Sequence, residues 1–388
     1  MPPTLDESAV ALLEALLAIP GPSGREAEVA AFVQTRLLEA GLPPESMRDD
    51  GAAMRMPDPA ACGNLVVDAG EGPEPRRLFV AHLDTVPGAE GVRFRYDGDR
   101  IVVLEGGALG GDDRCGVAAI LAAFLWLRGQ GRALRPVRFL FTVWEERSVL
   151  GARYLDPGAL DGIADAFSFD GKEVNEVVVA SPGSDRMEIH LQGVASHAGT
   201  RPTEGASALV AAGRALARLA RDGWHGRIER DEEWVATANV GRMEGGEATN
   251  VVAAEATVHA EARSHDPAVL AGVVEAWRRA FEEEAAAVTT ADGRPVEVEF
   301  STWTAYHPFD LGDGGSAMRV LEHALAAEGL TPKPRRIFGG LDASWLVRHG
   351  VPTLTVGCGY RFNHTPREEI SVPQYLEAVR VAARLMAP

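Results

Sequence analysis

The chain has 388 residues, 46% of them hydrophobic, and a formal net charge of −18. That length favours two domains over one simple core, and that charge argues against nucleic acid as a partner, because its phosphates would be repelled. No stretch approaches the roughly 18 uninterrupted apolar residues of a membrane span, so no membrane association is expected. Cys62, Cys115 and Cys358 are widely spaced and form neither a disulfide framework nor a CxxC zinc pattern, which fits a reducing, cytoplasmic setting.

In chain order, "MPPTLDESAVALLEALLAIPGPSG" carries Asp6, Glu7 and Glu14 through its apolar stretch and reads as an amphipathic helix rather than a signal peptide. "PSGREAEVAAFVQTRLLEAG" opens with Ser23 and Glu26 at capping-box spacing and stops at Gly41, which predicts a second helix. Near-continuous apolar runs follow: "RLFVAH" ending at His82, "VRFLFTVW" (137–144) and "DAFSFD" (165–170), with the helical "GVAAILAAFLWLRGQG" between the first two. Runs that are apolar on both faces and alternate with helices predict a largely parallel sheet covered on both sides. "SPGSD" (181–185) marks a boundary, and beyond it the pattern becomes β-α-β-β-α-β, the ferredoxin-like arrangement. Helix and strand then alternate again through "GSAMRVLEHALAAEG" and "VPTLTVGCG". The expected architecture is an α/β domain with a mostly parallel sheet over 1–184 and 304–388, interrupted by a ferredoxin-like insertion over 185–303.

Polar residues gather at the ends of the apolar runs. "FVAHLDTVPG" delivers His82 and Asp84, two residues apart, to the same side of an extended backbone. "ALGGDDRCG" places Asp112 and Asp113 in a glycine-rich turn before a helix, "FTVWEERSVLG" places Glu145 and Glu146 at a second strand end, "FSFDG" places Asp170 at a third, and "GYRFNHTPRE" places His364 after the last. Each alone has an ordinary explanation: a helix cap, a solvated strand end, an Asp-Gly turn, a structural histidine. Together they end every core strand of this lobe in acid or histidine, on the edge where open α/β sheets form their sites, although unpaired charges would repel there. Divalent metal relieves that repulsion. Two imidazoles and several carboxylates suit zinc, with cobalt or manganese as substitutes, and the acids outnumber the needs of one tetrahedral ion. A shared carboxylate would give a two-metal centre. Asp84 can hold the second nitrogen of His82. Of the adjacent pair Glu145 and Glu146, one can ligate and one can serve as a base, since neighbours on a strand point to opposite sides. "EGGALGGDD" is not G-x-x-x-x-G-K-[ST] and lacks the strand–GxGxxG–helix context, which argues against a nucleotide site.

"AHLDTVPG", "GGDDRCGVAA", "TVWEERSVLGA", "FSFDGKE", "GVASHAGTRP" and "FNHTPRE" together resemble the dinuclear-zinc exopeptidase family of peptidase T, the carboxypeptidase G type, aminoacylase and succinyl-diaminopimelate desuccinylase. The resemblance runs in order along nearly the whole chain. It implies that His82 and Asp170 hold one zinc, Glu146 and His364 the other, and that Asp112 bridges them. It further implies that Glu145 is the general base and acid, that Asp84 orients His82, and that His197, on a lid that also dimerises, stabilises the reacting carbonyl from its own or a partner chain. Asn250 and Arg263 match lid residues that hold substrate polar groups. Arg114 stands where many relatives carry Lys, and Asp170 matches the peptidase T branch, whereas carboxypeptidases and aminoacylases usually place Glu there. The implied activity is an aminopeptidase acting on di- or tripeptides, with an N-acyl amino-acid amidohydrolase or carboxypeptidase as the alternative within the family. A non-catalytic metal- or peptide-binding protein on the same fold is the third reading.

Overall fold

The computed structural model describes residues 4–73 and 75–388. The chain divides into two compact units: Met1–Ala180 with Asp310–Ile337 and Leu341–Pro388, and Ser181–Phe309 with Phe338–Gly340. Among the described residues no helix is long and apolar enough to cross a membrane.

The first unit is built on a nine-stranded sheet. Its centre is four parallel strands, adjacent in the order Val137–Thr142, Arg76–His82, Ile163–Gly171 and Thr353–Gly357. They are buried along nearly their whole length, which accounts for apolar runs without alternation. One face presents Phe79, Phe139, Phe141, Phe167 and Phe169 to the main core, which includes the helices Gly111–Gly129 and Val372–Met386. The opposite face presents Leu78, Val80, Leu140 and Ala166 to a smaller cluster closed by Leu346 of the short helix Asp342–Arg348. Fully burying each such side chain contributes about 1.5–3 kcal/mol. Because the four strands run in one direction, their carboxyl ends share an edge, and the loops that leave it carry the polar clusters. A separate four-stranded antiparallel sheet joins Arg93–Asp97, Arg100–Glu105, Glu369–Ser371 and Tyr360–Arg361.

In the second unit Glu233–Gly245, Glu255–Ser264, Gly183–Gln192 and Glu297–Tyr306 are antiparallel neighbours in that order. The helices Ala208–Arg221 and Pro267–Ala286 supply the same core as the inward residues of these strands. This is the ferredoxin-like topology, and the strand Glu255–Ser264 shows the alternating burial of a sheet covered on one side. An additional edge strand, Gly226–Arg230, extends it. Its hairpin turns at Asp231 and Glu232, both at positive φ (52° and 65°), without the Asn-Gly or Asp-Gly pair that marks such turns in sequence.

Two local expectations are overturned. Ser23 and Glu26 do not form a capping box: the helix Ala27–Glu39 has no side-chain cap. Ser23 Oγ instead donates to Asp84 Oδ2 at 2.6 Å, and Glu26 Oε1 accepts from the backbone N–H of Gly24 (2.8 Å) and Trp144 (3.1 Å). Buried Asp84 and the buried turn at Trp144 claim these groups, whereas the helix N-terminus can be served by solvent. The second strand also ends at Thr142, not at Trp144, so Glu145 and Glu146 lie in the turn beyond it. Trp144 has φ of 54°, and strand alternation therefore does not set the directions of the two glutamates.

The helix beginning at Gly111 packs very closely on the Asp170 strand. A Cβ at Gly116 would lie 1.9 Å from the Phe169 carbonyl oxygen and 2.5 Å from Asp113 Oδ1, whereas one at Gly129, in the same helix, meets nothing within 4 Å. Gly116→Ala should therefore lower the thermal midpoint by several degrees, and Gly129→Ala should leave it unchanged or slightly raised. Thermal unfolding of the two variants checks this; equal behaviour would contradict the close approach.

Candidate metal centre

His82 closes its strand with the ring fully buried. Its Nδ1 lies 2.9 Å from the backbone carbonyl of Asp84. A carbonyl only accepts, so the Nδ1 proton is fixed there and Nε2 faces the acids: Asp112 Oδ1 at 3.1 Å and Asp170 Oδ1 at 3.9 Å. The Asp84 carboxylate sits farther from Nδ1, at 3.5 Å. It accepts instead from the N–H groups of Glu145 (2.9 Å) and Glu146 (3.1 Å) and from Ser23, and so ties the glutamate turn to the His82 loop.

Asp112 stands between the two histidines. Its Oδ2 lies 3.2 Å from His364 Nε2, and His364 Nε2 in turn lies 2.8 Å from Glu146 Oε1. The ligand-type atoms of His82, Asp112 and Glu146 all fall within 4.8 Å of one another, as do those of His82, Asp113 and Asp170. The peptide between Asp112 and Asp113 is cis. Asp113 directs its oxygens to backbone N–H groups, Oδ2 to His82 (3.2 Å) and Oδ1 to Gly116 (3.0 Å). Glu145 is buried, and among the described residues no group hydrogen-bonds to its carboxylate.

Several supporting residues were not singled out by the sequence. Tyr360 Oη donates to Asp170 Oδ1 at 2.9 Å, and Asn363 Nδ2 to Asp112 Oδ2 at 2.6 Å. The Glu368 carboxylate accepts the N–H groups of Leu109 (2.7 Å), Gly110 (3.1 Å) and Asp112 (3.2 Å), which fixes the glycine turn. Arg114, which the sequence had marked only as a departure from Lys, is buried, donates to the carbonyls of Leu83 and Ile19 and so braces the loop after His82. Tyr360, Asn363 and Glu368 all lie within four residues of His364, and that density of polar residues was the available signal.

In the second unit, His197 is exposed, and its Nδ1 accepts from Gly199 N and Thr200 N, each at 3.1 Å. The ring proton therefore sits on Nε2. A bridge between His197 and Val251, with Ala198 N donating to the Asn250 carbonyl at 2.9 Å, brings His197 and Asn250 together. Arg263 is held by the Glu261 carboxylate (3.0 and 3.1 Å) and the Phe338 carbonyl (3.1 Å).

The electrostatics of the first-unit cluster are those of crowded acids. Burial, followed by the charge of Asp112, lifts Asp170 well above the usual carboxylate range and lifts Glu146 to about 7. Burial also lifts Glu145, with Asp170 adding and His82 opposing. Hydrogen bonds to Asp112 and Glu146 push His364 up to about 10; burial opposes protonation of His82, but Asp112 and Asp84 outweigh it. Protons on the two imidazoles thus supply the positive charge that the carboxylates demand.

The donor set fits divalent metal. Both imidazoles aim Nε2 at shared carboxylates, and the other nitrogen of His82 is engaged by a backbone carbonyl, the arrangement that fixes a ligating histidine. Ligation requires neutral imidazole, so cation binding must expel the protons on His82 and His364. Calorimetric titration of zinc into the metal-free protein at pH 8, in buffers of different ionisation enthalpy, should report about two protons released per chain, and affinity should rise with pH through neutrality. Binding without proton release would contradict the elevated His364 and His82.

Comparison with known proteins agrees with this geometry. Residues 78–387 match the model of peptidase family M20/M25/M40. The uncharacterised protein YqjE of Bacillus subtilis (strain 168) is 30% identical over 373 residues, covering 96% of this chain and 95% of YqjE. Two solved structures are each 27% identical: aminopeptidase PepT from Bacillus cereus ATCC 10987, with a TM-score of 0.81 and 98% of both chains covered, and a tripeptidase from Staphylococcus aureus subsp. aureus mu50, with a TM-score of 0.85 over 98% of this chain and 97% of that one. With the family match spanning most of the sequence and the clustered His82, Asp112, Glu146, Asp170 and His364 at its centre, the chain belongs to peptidase family M20/M25/M40.

Proposed function

We propose that this chain is a cytoplasmic, zinc-dependent aminopeptidase that removes the N-terminal residue of di- or tripeptides at a two-metal centre. The observation that carries the reading is the contrast between the two glutamate carboxylates: that of Glu146 is engaged with His364, whereas that of buried Glu145 accepts no hydrogen bond among the described residues. His82 and Asp170 would hold one ion and Glu146 and His364 the other, with Asp112, which offers one oxygen to each histidine, between them. Bound there, two dications would polarise the scissile carbonyl and make water acidic enough to attack at neutral pH.

Glu145 takes the proton from the attacking water and delivers it to the leaving amine nitrogen. Asp84 holds the backbone of Glu145 and Glu146 in place for this exchange. His197, protonated on Nε2, donates to the oxyanion that develops on the carbonyl, from its own chain or from a partner in a homodimer formed through the second unit. Asn250, whose backbone carbonyl accepts from Ala198 N next to His197, would hold the peptide; Arg263 would have to loosen from Glu261 to do so. Preference for a free amino terminus rests on Asp170 at the position where the carboxypeptidase and aminoacylase branches usually carry Glu, and on the names of the PepT and tripeptidase structures.

Glu145→Ala should bind metal normally yet turn over slower by about 10²–10⁴ or more, whereas Glu146→Ala should lose metal and activity together. Metal content and turnover of both variants decide it; near-normal turnover of Glu145→Ala with both metals bound would remove the peptidase mechanism. Products from di-, tri- and N-acylated peptides, identified by mass, should show release of the N-terminal residue; cleavage of only the acylated set would assign the amidohydrolase activity instead. His197→Ala should lower kcat at unchanged metal content, and mixed dimers with Glu145→Ala should regain activity if His197 serves the partner site.

A further inference from the structure

The turn that carries Glu145 and Glu146 is gripped at both ends of each of its peptides. Beyond the strand Val137–Thr142, three consecutive peptide groups join Val143 to Trp144, Trp144 to Glu145, and Glu145 to Glu146. Their carbonyls accept, in that order, from the N–H groups of Gly151 (3.0 Å), Leu150 (3.0 Å) and Val149 (2.9 Å). Their N–H groups meet carboxylates instead. Those of Glu145 and Glu146 donate to Asp84, and that of Trp144 donates to Glu26 Oε1 at 3.1 Å.

Glu26 reaches this turn from a different segment of the chain. It stands just ahead of the helix Ala27–Glu39, is 0% exposed, and also accepts from Gly24 N at 2.8 Å. Its Oε2 has no hydrogen-bond partner among the described residues, so these two N–H groups are all that its carboxylate holds. The Asp84 carboxylate also lies 3.5 Å from His82 Nδ1, whereas Glu26 makes no hydrogen bond or ion pair, among the described residues, to a residue assigned to the metals. Trp144 has φ of 54°, a left-handed backbone that a bulky side chain adopts only where its surroundings impose it. Without an acceptor at position 26 its N–H would be buried and unpaired, and the peptide would gain by turning toward an ordinary φ. Glu145 is the next residue, so rotation there carries its carboxyl out of place.

We propose that Glu26 is a positioning residue for catalysis: by accepting the Trp144 N–H it fixes the turn so that the Glu145 carboxyl meets the attacking water. This rests on the peptidase reading of Glu145. Asp84 steadies both the base and the His82 loop, whereas Glu26 serves the base only. What Glu26 supplies is an oxygen at the right reach and not a charge. Burial and then the nearby Asp84 push it up to about 7, so a neutral amide of the same length is a close substitute.

The test is steady-state kinetics of the zinc-loaded enzyme on a short peptide that it cleaves, with metal content measured for each variant. Glu26→Ala should lower kcat by about 10–10²-fold, the scale of a misplacement of about 1 Å, while KM and metal content stay within about twofold of normal. Glu26→Gln, which keeps the reach, should recover most of that loss. Glu26→Asp keeps the charge but is one methylene shorter; it should stay slow, and it decides the matter where Glu26→Ala does not fold. In a Glu145→Ala background Glu26→Ala should slow turnover by less than about twofold more, because no base is left to position. A merely structural role would add its loss in both backgrounds. Full-speed Glu26→Ala beside slow Glu145→Ala, Glu26→Gln as slow as Glu26→Ala, a loss carried by KM or metal content, or a loss undiminished in the Glu145→Ala background would overturn this proposal alone. Near-normal turnover of Glu145→Ala would overturn the peptidase reading and this proposal with it.

Discussion

Like-charge crowding in a buried crevice is the constraint around which the first unit is organised. Asp84, Asp112, Asp113, Glu145 and Asp170 are all out of solvent, and Glu146 is nearly so. A pair of like charges about 4 Å apart costs about 4 kcal/mol at the effective dielectric of a protein, so such a cluster persists only where something repays it. Part of the repayment is internal. Asp84 and Asp113 spend their oxygens on backbone N–H groups, and Glu368 does the same for the glycine turn. What remains, around His82, Asp112, Glu146, Asp170 and His364, is charge that, among the described residues, is met by imidazole and by the hydrogen bonds of Tyr360 and Asn363.

The fold meets this constraint through direction. Parallel strands bring their carboxyl ends to one edge, and the intervening helices carry the chain back to the other, so loops distant in sequence meet where the site forms. The phenylalanine-rich face anchors the strands rigidly, and the close approach of Gly116 to Phe169 sets how deeply the Asp112 turn sits. Bonds from Tyr360 to Asp170 and from Asn363 to Asp112 then lock acids that repulsion would otherwise spread.

Much of this was legible in the sequence because it follows from pattern. Apolar runs ending in His82, Trp144 and Asp170 read as buried parallel strands, and the second unit announced its helices and four of its strands by periodicity. What escaped was decided by tertiary competition. Ser23 and Glu26 have the spacing of a helix cap, yet a buried carboxylate and a buried turn hold stronger claims on them. The glutamate pair followed an apolar run that looked two residues longer than the strand is, and only the positive φ at Trp144 shows where the turn begins. Asp342 lies in "GGLDASW", where nothing in the spacing distinguishes a buried carboxylate from a helix cap.

The central claim is that two dications neutralise this cluster while Glu145 stays outside their coordination. Anomalous diffraction at the zinc edge, from crystals of the zinc-loaded enzyme, tests it most directly. The account requires two peaks, one against His82 and Asp170 and one against Glu146 and His364, with Asp112 touching both and Glu145 touching neither. A single peak, or a Glu145 oxygen coordinating either ion, would contradict it.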